Sequence, residues 1–106
     1  MGKILKYQIT FKKEKNTAEE GYAEEKSWCF FKETFADVFI KAGGTNYAEE
    51  GPRAFTRVLF TIRYDEDIDY SCRIWYNDQM YMINHIEVVD RRHWMRIESV
   101  AWEDEN

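Results

Sequence analysis

The chain has 106 residues, 44% of them hydrophobic and 17% aromatic, and its 20 acids against 15 bases give a net charge of −5. That length sets an expectation of one domain over residues 1–106 with a single modest core, and the acid excess argues against a free-standing nucleic-acid binder. No apolar run approaches a membrane span and no apolar leader follows Met1. The two cysteines, Cys29 and Cys72, lack metal spacing and fit buried free thiols in a reducing cytosol.

In chain order, the first extended segment is Lys3–Lys13. Leu5, Tyr7, Ile9 and Phe11 share one face, while Lys6, Gln8, Thr10 and Lys12 share the other. The lysines make this end locally basic, either as a solvated face or as a docking surface for an acidic neighbour. Asn16–Lys26 is a polar loop with Glu19-Glu20 and Glu24-Glu25 around Gly21, and Thr17–Glu20 is compatible with a short helical turn. Trp28–Ala42 is extended and apolar on both faces. That pattern suits a strand covered on both sides, or one whose bulge swaps faces midway, and helix competes over Trp28–Phe35. Gly43–Ala54 then interrupts the pattern: Gly43-Gly44 opens a long loop and Gly51-Pro52 closes it. Between them Asn46–Glu50 can form one helical turn with Asn46 as N-cap.

Phe55–Tyr64 alternates strictly. Val58, Phe60, Ile62 and Tyr64 fall on one face and Arg57, Thr61 and Arg63 on the other, the period of a half-buried strand. Asp65–Asp69 is an acidic turn. Its spacing invites a calcium loop, but that pattern wants a Gly at position 6 and a Glu at position 12, where this chain has Tyr70 and Tyr76. Arg73–Tyr76 and Gln79–Val89 form a hairpin around Asn77-Asp78, residue types that tolerate the left-handed backbone of a two-residue turn. In the second arm Tyr81 and Ile83 lie in one phase and Ile86 and Val88 in the other, so a bulge is expected near Asn84-His85. Asp90–His93 is a polar turn, Trp94–Trp102 a last strand with apolar groups on both faces, and Glu103–Asn106 an acidic tail expected to fray.

No catalytic constellation emerges, so an enzyme is not expected. His85 and His93 have no Ser, Cys or carboxylate partner at a recognised spacing, Gly43-Gly44 leads into no phosphate-binding helix, and no metal or cofactor set is present. A single-strand binder of the OB type would use the rings and Arg57, Arg63, Arg73, Arg91, Arg92 and Arg96, but no basic stripe stands clear of acids. It remains the alternative. Surplus aromatics on two-sided strands fit a β-rich interaction protein whose apolar faces are covered by partners.

The ordered set of motifs carries a family resemblance. Lys6-Tyr7-Gln8-Ile9-Thr10-Phe11, then Trp28 and Thr34-Phe35-Ala36-Asp37-Val38, then Phe60-Thr61-Ile62-Arg63-Tyr64-Asp65, then Arg73-Ile74-Trp75-Tyr76-Asn77-Asp78-Gln79-Met80-Tyr81-Met82-Ile83 resemble, in that order, the phage head–tail adaptor proteins, which close the head and join it to the tail. The chain departs from the family pattern with Asn77-Asp78 in place of a glycine turn and Phe35 in place of Trp. The resemblance implies a mainly β fold, a small antiparallel β-barrel with a long loop between the second and third strands. It further implies a homo-oligomeric ring below the portal, between portal or adaptor proteins and tail proteins. DNA would pass through without sequence-specific binding, and no membrane is involved. Such a protein assembles in the bacterial host cytoplasm and ends in the virion at the head–tail interface. By position the family's channel loop is Gly43–Ala54, which makes Gly43, Gly44, Thr45, Asn46, Tyr47, Glu49 and Glu50 the candidate stopper. Phe39, Trp75, Trp94 and Trp102 are the candidates for contacts between copies.

Overall fold

The alternation of residues 55–64 persists in three dimensions: Val58, Phe60 and Ile62 are buried, and Arg57 and Arg63 are exposed. Thr61 departs from it. It faces outwards between Asp37 and Arg96 on the neighbouring strands and is nevertheless buried. The structure is a computed structural model that describes residues 5–16, 26–48 and 51–102. Its strands are β1 (Tyr7–Asn16), β2 (Lys26–Ala48), β3 (Gly51–Arg63), β4 (Cys72–Tyr76), β5 (Gln79–Val89) and β6 (Trp94–Trp102). All pair antiparallel, and the sheet closes into a barrel in the order β1-β2-β3-β6-β5-β4. The inward stripes of all six strands meet in one core: Ile9 and Phe11 of β1, Ala36 of β2, Val58, Phe60 and Ile62 of β3, Ile74 of β4, Tyr81 and Ile83 of β5, and Met95 and Ile97 of β6. Burying each large side chain contributes about 1.5–3 kcal/mol.

Three bulges explain the strands that looked two-sided. Between Phe11 and Lys12 the β2 partner jumps from Lys32 to Phe30, so Phe31 is the extra residue and packs against the core. Between Ile40 and Ala42 the extra residue is Lys41. In β5 the extra residue is Asn84, at the expected place. The hairpin turn also forms as expected, with Asn77 at φ 52° and Asp78 at φ 61°.

Two boundaries differ from the sequence reading. β1 begins at Tyr7, where β2 first offers a partner in Ala36, and runs on to Asn16. Residues 43–48 and 51–54 are not a loop but strand, and Asn46 caps no helical turn. The β2–β3 ladder continues through Gly43↔Thr56, Asn46↔Arg53, Tyr47↔Pro52 and Ala48↔Gly51. Glycine and proline weaken a strand without forbidding it, and in a two-stranded ribbon the missing N–H of Pro52 can sit on the open edge. The expected turn at Thr17–Glu20, the pair Glu49-Glu50 and the tail Glu103–Asn106 lie outside the described residues.

The acidic turn is a lid on one end of the barrel. Ile68 is buried within the core cluster, while Asp65 and Asp69 accept the backbone N–H groups of Asp67 and Ser71. Lys32, from β2, fastens the lid by donating to Asp65 at 2.9 Å and to Asp67 at 2.7 Å. Partial burial pushes the Asp65 carboxyl up, but the Asp67 N–H and the Lys32 ammonium outweigh it and hold the group below its ordinary value of 3.8. Lys32 is raised above 10.5, first by Asp67 and then by Asp65.

A depressed carboxylate contributes stability that is present above its ordinary value and is lost as pH falls through the folded one. The melting temperature of the native chain should therefore drop faster below pH 3.8 than that of Lys32→Met. The gap between the two at neutral pH should shrink in acid. Parallel melting curves down to pH 2 would contradict the clamp.

Candidate functional site

β3 pairs with β6 only from Phe55 onwards, so the pairs from Thr45↔Ala54 to Ala48↔Gly51 belong to a two-stranded ribbon with no third strand among the described residues. The pairing of β2 with β1 lies at the other end of β2, from Lys26 to Ala36. Gly43, Gly44, Thr45, Asn46 and Tyr47 are therefore ribbon residues of β2, and Glu49 and Glu50 lie beyond the described part of it.

The ribbon is anchored where it leaves the wall. A Cβ on Gly44 would come within 3.2 Å of the Phe55 ring, and one on Gly43 within 3.3 Å of the Phe55 carbonyl oxygen. The same ring lies against Trp102, centroids 5.3 Å apart, and the Arg57 guanidinium lies 5.4 Å from its centroid. An aromatic side chain thus covers bare glycine backbone across the ladder, a known way of stabilising glycine in a sheet. Gly43-Gly44 was expected as a flexible exit from the strand. It is instead paired strand, and Gly44 makes room for Phe55.

The four candidate contact aromatics do not converge. Phe39 is 58% exposed and stands beside Leu59 on the outer wall. Trp75, at 37%, is on β4 and pairs across to Thr10 and Met80. Trp94 and Trp102, at the two ends of β6, are half-buried by their own chain, Trp94 under the Arg63 guanidinium and Trp102 against Phe55. The sequence reading missed Phe30, Phe35 and Ile40, exposed at 65%, 53% and 67%. The signal was present in the two-sided apolar pattern of Trp28–Ala42, but the residues facing out depend on the bulges at Phe31 and Lys41.

Phe39 and Leu59 border a depression of about 260 Å³ rimmed by Lys41, His85, Glu87, Arg96 and Glu98. Lys41 donates to Glu98 and holds its carboxyl below the ordinary range; Arg96 lies 3.7 Å from Glu87. These are charges paired with one another, with no nucleophile between them. His85 sits opposite Glu98 in the ladder, and the His93 imidazole is 2.7 Å from the Asp90 carbonyl. Among the described residues no three metal-ligating side chains converge.

The chain matches the family model of the phage head completion protein over residues 3–101. It belongs to that family. The role of the family is structural, in the phage head. A chain from the virion of a native gene transfer agent particle shares the fold, with a TM-score of 0.78 at 14% identity over 96% of this chain and 98% of that one. No curated protein sequence matches significantly.

For this head completion protein the anchor predicts how the ribbon fails. Gly44→Val should push the Phe55 ring off Trp102, and Phe55→Ala should remove the cover altogether at a cost of about 1–3 kcal/mol. Hydrogen exchange should then accelerate at the amides of residues 43–48 and 53–56 while the β4–β5 hairpin keeps its protection. Unchanged ribbon exchange in Phe55→Ala would refute the anchor.

Proposed function

We propose that this head completion protein forms a ring of copies below the portal, closes the DNA-filled head and provides the platform on which the tail docks. The observation that carries the reading is the ribbon: a closed barrel supplies a stiff body, and β2 and β3 project from its wall on an aromatic anchor. A ring of such barrels could direct its ribbons to a common axis. Gly43, Gly44, Thr45, Asn46, Tyr47, Glu49 and Glu50 are then the stopper, with the two acids repelling DNA phosphates so that DNA is held back without sticking. The protein would assemble in the host cytoplasm and finish at the head–tail interface. The gene transfer agent chain that shares its fold comes from an assembled particle, which supports this placement.

Among the four aromatics, Phe39 is best placed for contact between copies because it is the most exposed. Trp94 and Trp102 offer only the edges that their own chain leaves uncovered, and Trp75 stands on a separate face. The single-strand-binding alternative has less support, because Glu14 and Glu33 stand among the cations and rings of β1, β2 and β4.

Two experiments test the proposal. In assembled particles, Glu49→Lys with Glu50→Lys should slow DNA release or leave DNA bound to the connector; unchanged retention and release would remove any electrostatic role for the two acids. Phe39→Asp should leave the isolated chain folded, since the side chain is exposed, yet lower its incorporation into particles. Normal incorporation would exclude Phe39 from the ring contact.

A further inference from the structure

We infer that the outer face shared by β1, β4 and the first part of β2 docks an acidic surface of another protein that also carries apolar side chains. This goes beyond the ring reading and does not depend on it. One row across the wall runs Phe30, Lys12, Arg73, Met82, each paired with the next across neighbouring strands. Phe30 is 65% exposed and Met82 43%. The Lys12 ammonium lies 4.8 Å from the centre of the Trp75 ring, and the Arg73 guanidinium 4.3 Å from that of Trp28.

Among the described residues Lys13, Arg57 and Arg63 also lie over rings without an ion pair, but Lys12 and Arg73 are paired with each other in one row that ends in exposed apolar side chains. Acids outnumber bases 20 to 15, yet among the described residues neither Lys12 nor Arg73 has a carboxylate within ion-pair distance; the ion pairs there use Lys32, Lys41, His93 and Arg96. Each lies on an aromatic ring instead, which orders the side chain and shields part of its charge from water. A carboxylate arriving from outside then meets a pre-positioned cation beside an exposed apolar side chain, the combination of charge complementarity and apolar contact that marks a protein docking face.

Two other occupants fit less well. A polynucleotide would meet Glu14, paired with Trp28, and Glu33, in the same ladder row as Thr10 and Trp75, on a chain of net charge −5. A second copy meeting this face about a two-fold axis would set Lys12 and Arg73 against themselves. The opposite wall offers no free acid at its depression, since Glu98 and Glu87 are already matched by Lys41 and Arg96.

The test is a titration of the full chain with a short peptide that alternates glutamate with leucine and phenylalanine, followed through the four indole N–H signals. Binding should be saturable, weaken with salt, and move the signals of Trp28 and Trp75 while those of Trp94 and Trp102 stay. Lys12→Glu with Arg73→Glu should weaken it by about tenfold, two surface ion contacts' worth, and Lys12→Arg with Arg73→Lys should keep it. Should the reversed pair fail to fold, Lys12→Gln with Arg73→Gln makes the same test. No binding, or binding indifferent to both charge-removing pairs, overturns the inference. So does tighter binding of a single-stranded oligonucleotide of equal charge through the same two indoles, which assigns the face to nucleic acid. Self-association without peptide that is lost in the reversed pair assigns it to a second copy.

Discussion

The barrel is closed by a short seam. β4 meets β1 over only four pairs, Thr10↔Trp75 to Lys13↔Cys72, joining residues some sixty positions apart in sequence. Without that seam the sheet would be open, with β1 and β4 as exposed edges, a form prone to pairing with other chains. With it, Phe11 and Ile74 face one another across the ladder and both are buried. Closure requires long loop formation before it is rewarded, so it is the least local event in the fold.

Closure also decides what is left over. The interior of a six-stranded barrel is narrow, and Phe11, Phe60, Tyr81 and the isoleucines fill it. Tyr76 packs edge-on against Phe60 and Tyr7 against Tyr76, continuing the aromatic contacts towards one end. Ile68 and its lid cover the other. The remaining rings have no room inside. They either cover something specific, as Phe55 covers Gly44 and Trp28 and Trp75 lie under cations, or stand exposed as Phe30, Phe35 and Phe39 do. The two groups have different physical meanings. The first stiffens the chain locally, while the second is apolar surface of the kind that partners cover.

The likeness to a virion chain at 14% identity fits this account. The fold asks for a two-residue period, bulges at defined places and a sealing pair of ends, and many side chains satisfy each demand. Alternating stripes tolerate exchange among Val, Ile, Phe and Tyr far better than a catalytic centre tolerates exchange of its groups. A structural head protein can therefore keep its body while its outer faces change with its partners.

Much of this was legible in the residues alone. The strict alternation at Val58, Phe60 and Ile62, the Asn77-Asp78 turn and the phase change near Asn84 are local, because each depends on backbone preferences and on neighbours two positions away. The ordered motifs carried the family for the same reason. What only the tertiary structure decided was non-local: that residues 43–48 and 51–54 extend β2 and β3 instead of looping, that Phe31 turns inwards and Phe30 outwards, that Lys32 reaches Asp65 across 33 positions, and that Lys12 and Arg73 find rings where they could have found acids. In each case the partner is supplied by a strand distant in sequence, and its register is set when the barrel closes. A two-residue period says which way a side chain points, but not what it meets there.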